Sequence, residues 1–286
     1  MTPIDRAFIK AYTQQDAPTI PMAGPPSIEP DRETLVETPP PLHSEDAPQM
    51  ASPTIYEPMA FQPSFQVDSF AWPTGCTRLA MLAADEVERL SDALIDGVHA
   101  GRHVVAVGGC RQGDGCTTLL LCAARRLAER GLKVALVDAD FANPWLARRL
   151  GLLPEAGWEE LAAGRLPIEE VAIESIQDEL VVLPLCGTPP RRESSGRDLP
   201  DPVANLNVLR DHYDLVLVDL GCFGDLVEQD HVGAAAALRW VDAVLLIHNV
   251  RSVPPDELDQ TRHRMQAAGL AVAGVAENFV GLRRSA

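Results

Sequence analysis

Between Gly108 and Thr118 the chain reads Gly-Gly-Cys-Arg-Gln-Gly-Asp-Gly-Cys-Thr-Thr, a glycine-rich turn between a short apolar run and a helix-forming stretch. Glycines let backbone N–H groups turn inward around an anion, and the helix that follows presents its positive end to the same place. A hydroxyl directly after such a loop, here Thr117, is placed to ligate Mg²⁺. The design needs a lysine at position 116 to reach the outer phosphates, and the residue there is Cys116. Two further apolar runs end in carboxylates, Asp138 with Asp140 after the first and Asp219 after the second. An acid at the end of a buried strand is costly unless it meets a metal, a water or a hydrogen-bond donor. A single strand-end Asp reads most simply as a cap of a helix or turn. Three of them converging on one sheet edge beside a phosphate-cradling loop read as a Mg²⁺-nucleotide site. A Rossmann-type dinucleotide site competes, because Gly113-x-Gly115-x-x-Thr118 followed by Asp138 imitates its fingerprint, but the third glycine is absent.

The elements that must position these residues follow from periodicity. Leu79 to Ala100 has apolar residues at three- and four-residue steps, which predicts a helix. The spacing then predicts a strand over 103–107, a helix over 117–130 ended by Gly131, and a strand over 133–137, a unit of the right length for a parallel crossover. Four more apolar runs, 181–185, 215–219, 243–247 and 272–275, lack strict alternation and so predict strands covered on both faces. Helices are expected over 144–150, 158–163, 203–212, 231–239 and 255–268. Such alternation predicts an α/β fold with a doubly wound, mainly parallel sheet, whose ligands sit at the carboxyl ends of the strands. Residues 1–70 differ: prolines recur from Pro18 to Pro63 among acids, Ser, Thr and Gln, the texture of a disordered acidic tail. The domain is expected over 71–286.

Composition narrows the partners. The formal net charge is -17, which disfavours sequence-independent nucleic-acid binding. The lysines are Lys10 and Lys133 alone, so no lysine near the loop replaces the one missing at Cys116. The 6 cysteines show no metal-ligand spacing and read as free thiols of a reducing compartment. A redox pair of Cys110 and Cys116 is the less favoured alternative. The opening residues lack an apolar signal core, and no run reaches the ~18 apolar residues of a membrane span. The expectation is a soluble, cytoplasmic protein that meets a membrane only through a partner.

Together these motifs make the stretch from Val104 to Gly151 resemble the deviant P-loop ATPases of the ParA/MinD superfamily. It is most similar to the cytoplasmic domains of bacterial tyrosine kinases (BY-kinases) of exopolysaccharide biosynthesis. The similarity runs on through Gly157–Gly164, Leu180–Gly187, the Walker B-like Tyr213–Asp219 and the strand Gly274–Val280. The resemblance implies that Arg111, Gly113, Asp114, Gly115, Cys116, Thr117 and Thr118 surround the phosphates of ATP or ADP. It implies that Thr117, Asp138 and Asp219 serve Mg²⁺, that Asp138 and Asp140 carry the catalytic Walker A′ roles, and that Asn278 contacts the base. It also implies a membrane chain-length or export protein as partner and leaves a homo-oligomer open.

The departures are specific. Cys116 stands at the P-loop lysine, Arg111 at the second, signature lysine of partitioning ATPases, and Ala142 at the kinase arginine. Glu86-x-x-Arg89-x-x-Asp92 half matches the kinases' oligomerisation motif, and the tyrosines are Tyr12, Tyr56 and Tyr213, with no tyrosine-rich tail. The expectation is therefore a nucleotide-binding regulator with a degenerate Walker A and weak catalysis. The alternatives are an active ATPase or kinase that uses Arg111 or a group in trans, and a scaffold that binds no nucleotide.

Overall fold

The computed structural model describes residues 61–186, 202–223 and 239–280. In chain order the elements are β1 (Phe65–Val67), α1 (Thr74–Leu82), α2 (Ala84–His99), β2 (Val104–Gly109), α3 (Cys116–Glu129), β3 (Val134–Asp138), α4 (Leu146–Arg149), α5 (Trp158–Ala162), β4 (Ile173–Ser175), β5 (Leu180–Leu183), α6 (Pro202–His212), β6 (Leu215–Cys222), β7 (Ala243–Asn249), α7 (Pro255–Ala267) and β8 (Val272–Asn278). Among the described residues the strands form one 8-stranded sheet, ordered β1-β4-β5-β3-β6-β2-β7-β8. Every neighbouring pair is parallel except β4 with β5.

The central strands are apolar at every position because both faces are covered. Val105, Val107, Leu136, Leu217 and Ile247 pack on one side with α1, α2 and α3. Their sequence neighbours Val104, Ala106, Ala135, Val137, Val216 and Val218 pack on the other with Trp158, Leu206, Leu209 and Met265. Each strand thus feeds two cores, as a doubly wound sheet requires. The chain reaches β3 from β2 by crossing over β6, so the carboxyl ends of β2, β6 and β3 lie side by side. This is where the expected site residues converge.

Three expectations need correcting. Residues 61–70 do not belong with the tail: β1 pairs with β4, Ser64 N donates to Glu169 O at 2.7 Å, and the Phe61 ring sits edge-on to Tyr213. Residues 1–60 lie outside the described residues, as does most of the helix expected over 231–239. The single helix expected over 79–100 is two, broken at Ala83, whose backbone (φ -131, ψ 41) leaves the helical region. The edge strand β4 was not expected, since three residues reading Ile-Glu-Ser carry too short a pattern to register.

Candidate functional site: a phosphate loop without its lysine

The loop after β2 is built as an anion cradle. Gly113 and Gly115 have φ of +88° and +95°, and Gly115 is the N-cap of α3 with no side chain capping the helix. The first N–H groups of a 14-residue helix are therefore left to an incoming ligand. Gly115 is needed for space as well as conformation, because a Cβ there would lie 2.2 Å from Asn278 Nδ2. Asn278 holds the loop from behind. Its Nδ2 donates to Asp114 O at 2.9 Å, and its Oδ1 accepts from Phe279 N at 2.9 Å. The asparagine expected to contact a base thus has its amide tied at both ends to backbone, and it is Phe279 beside it that lines the cavity.

Asp114 is fully buried beneath the loop, and its Oδ2 accepts from Arg111 N, three residues earlier, at 2.7 Å, holding the loop closed. Its Oδ1 finds no hydrogen-bond partner. Burial raises its pKa above the ordinary carboxyl value, against the pull of backbone donors at Arg111 and Cys110.

No cation on the loop itself faces the cradle. Cys116 is 6% exposed and its Sγ packs against Gly109, where an added Cβ would lie only 2.8 Å away. Burial, with the negative charges of Asp219 and Asp114, pushes the thiol well above its usual range, so it is neutral. Arg111 faces away. Its Nε and Nη2 meet the two carboxylate oxygens of Glu257 at 2.7 and 2.5 Å, and its Nη1 donates to Ser252 O at 2.8 Å. This two-pronged pairing fixes the guanidinium against the first turn of α7.

The strand-end aspartates are brought together, though not as one ligand cluster. Asp138 and Asp219 are register partners on β3 and β6, and each is 1% exposed. Burial raises both, and the Asp219 charge raises Asp138 further. Asp219 accepts from Gly221 N at 3.1 Å, and the nearby Thr117 hydroxyl works against the effect of burial on its carboxyl. Asp138 accepts from Leu146 N at 3.1 Å and Asp140 N at 3.2 Å, which organises the segment after β3. Asp140 accepts from Asn143 N at 3.0 Å and packs on Gly221, whose added Cβ would meet its carboxylate. Among the described residues no three acids, histidines or cysteines gather tightly enough to hold a metal alone. Mg²⁺ is ordinarily held by one or two protein oxygens with phosphate and water supplying the rest, and the Thr117–Asp219 pair fits that habit.

Above these groups lies a cavity of about 330 Å³ lined by the loop from Arg111 to Thr118 and by Asp140, Asn143, Trp145, Arg149, Gly221, Cys222 and Phe279. Asp138 and Asp219 lie below its floor. Asn143, Trp145, Arg149 and Phe279 escaped the sequence reading of the site. The only signal for them was their closeness to Asp140 and Asn278. The cradle, the unclaimed helix N-terminus and the buried acids fit a Mg²⁺-polyphosphate; the missing feature is a cation at position 116.

No family model matches the sequence. A tyrosine-protein kinase EpsB of Ralstonia solanacearum, so named putatively, is 28% identical over 179 residues, covering 63% of this chain and 23% of that protein. The chain thus spans about a quarter of that relative. The tyrosine-protein kinase CpsD of Streptococcus agalactiae is 22% identical over 189 residues, covering 62% of this chain and 74% of that protein. The kinase domain of the Escherichia coli tyrosine kinase ETK superposes with a TM-score of 0.57 at 22% identity, over 72% of this chain and 78% of that one. Among the described residues no helix is long and apolar enough to cross a membrane. The chain is similar in sequence to bacterial tyrosine-protein kinases and shares the fold of the ETK kinase domain.

Proposed function

We propose that this protein binds ATP or ADP with Mg²⁺ and acts as a nucleotide-dependent regulator related to exopolysaccharide tyrosine kinases, with weak phosphoryl transfer. The observation that carries this is the pairing of a complete backbone cradle with a loop that brings no positive charge into it. Backbone N–H groups from Gly113 to Thr118 hold phosphate oxygens, and Thr117 with Asp219 holds Mg²⁺. Asp140, on the cavity wall, is the residue placed to orient a water or hydroxyl, and Asp138 holds the wall in place.

Bound Mg²⁺-nucleotide supplies a phosphoryl group, and transfer depends on neutralising the charge that develops on it. With Cys116 neutral and Arg111 tied to Glu257, the loop provides binding without that stabilisation. The same pairing argues against an active enzyme that relies on Arg111. Autophosphorylation finds little support in Tyr213, which is half-buried against Phe61 with its pKa raised by burial. Resemblance to the kinases supports action in the cytoplasm beside a membrane chain-length or export protein.

Thermal melts with Mg-ADP and Mg-ATP test this reading. At about a hundredfold excess over Kd the ligand stabilises by about 2.7 kcal/mol, a rise of several degrees. No rise at millimolar nucleotide sinks it. Cys116→Lys should raise ATP hydrolysis at least about tenfold, since a single preorganised charge supplies several kcal/mol in such sites.

A further inference from the structure

The cavity has a second wall, formed by the segment after β3, and that wall ends in Arg149. The guanidinium is exposed while its helix is anchored: Leu146 N donates to Asp138 Oδ2, and Leu146, Ala147 and Leu150 are buried. Arg149 lines the same cavity as Gly113, Cys116 and Thr117. Among the described residues its side chain makes no hydrogen bond or ion pair. The adjacent Arg148 is directed elsewhere, over the Trp145 ring at 5.3 Å. Complementing a helix dipole does not account for Arg149, because α4 has only 4 residues and little dipole to complement.

A nucleoside di- or triphosphate entering this cavity meets the carboxylate of Asp140 on the wall, with Asp138 and Asp219 buried beyond it, and Mg²⁺ would offset part of that repulsion. Of the two arginines lining the cavity, Arg111 is already paired with Glu257. A planar guanidinium matches phosphate oxygens through paired N–H donors. The geometry points to Arg149 as the cation that binds the polyphosphate from the wall opposite the loop, in place of the charge that Cys116 does not bring. This rests on the nucleotide-binding reading above.

The test is calorimetric titration of the full chain with Mg-ADP and, separately, with Mg-pyrophosphate, which has no nucleoside. Arg149→Gln should weaken both by about tenfold or more, since a charge-assisted hydrogen bond contributes about 1.5–3 kcal/mol. Arg149→Lys should recover part of the loss. Arg149 is exposed, so the unliganded melting temperature should not move; should it move in Arg149→Gln, Arg149→Ala gives the same comparison. If the wild type binds both ligands and Arg149→Gln binds them equally well, the assignment of Arg149 is overturned and the nucleotide reading stands. If the wild type binds neither, the nucleotide reading falls and takes this inference with it.

Discussion

The loop after β2 and the segment after β3 line one cavity, and they differ in the charge they bring to it. The first keeps its backbone geometry, with Gly113 and Gly115 at positive φ, but has a neutral thiol at Cys116 and an arginine drawn off to Glu257. The second carries Asp140 in the segment just after β3 and Arg149 on a short helix fixed by Asp138. Backbone geometry and side-chain charge are therefore separable parts of a phosphate site. A loop can hold the shape while the charge is offered from another element.

Several substitutions break or sharpen that contrast. The largest effect is expected for Gly115→Ala. Its φ of +95° is costly for any L side chain, and the new Cβ would sit 2.2 Å from Asn278 Nδ2. Nucleotide affinity should fall by about two orders of magnitude as loop and asparagine separate, with a lower melting temperature. Wild-type affinity in this variant would show that the cradle is not what holds the ligand.

Asp219→Ala comes next. It removes the buried carboxylate beside Thr117, so Mg-ADP binding should weaken by about tenfold. Binding of ADP in excess EDTA should change far less, and an equal loss in both conditions would place Asp219 outside the metal's reach.

Asp178→Asn probes the far edge of the sheet, away from both walls. Asp178 accepts from Phe70 N at 2.7 Å and Trp72 Nε1 at 2.8 Å, and it pairs with Ser175 Oγ. Burial works against the charged form, but these donors outweigh it and the carboxyl lies below its ordinary value. A carboxyl depressed in the folded state adds stability above its unfolded pKa of about 3.9 and loses it as pH falls through the folded value. The variant should therefore be less stable than wild type by about 1–3 kcal/mol at pH 7. The gap should close below about pH 4, while nucleotide affinity at pH 7 is unchanged. Denaturant titrations at the two pH values decide it.

The smallest effect is expected for Glu257→Gln, which frees Arg111. The pair is half exposed, so stability should shift by less than about 1 kcal/mol. Mg-ADP affinity should rise by no more than about twofold. A large rise would show that Arg111 is held in reserve rather than withdrawn.

The central fold was legible because β2, β3, β6 and β7 are covered on both faces, which writes unbroken apolar runs into the sequence. The cradle and the strand-end acids were legible for a related reason: glycines and carboxylates at the ends of such runs have few structural excuses. What depends on long-range pairing was not. β1 and β4 are three residues each, and β1 finds its register only against β4, 108 positions away, where Phe65 meets Ile173. Arg111 reads as a compensating charge until the fold brings Glu257 to it from 146 positions away. Asn278 falls where a base-contacting residue is expected, and only the close approach of Gly115 shows what its amide holds. Arg148 and Arg149 are alike in sequence, but adjacent residues on a helix point about 100° apart, and one covers Trp145 while the other lines the cavity.

The most direct measurement is calorimetric titration of the wild-type chain with Mg-ADP beside a Cys116→Ala variant. The account predicts saturable one-site binding, micromolar to millimolar, with the two proteins within about twofold of each other, because residue 116 brings no charge to the phosphates. Absence of binding by the wild type at millimolar Mg-ADP would contradict it.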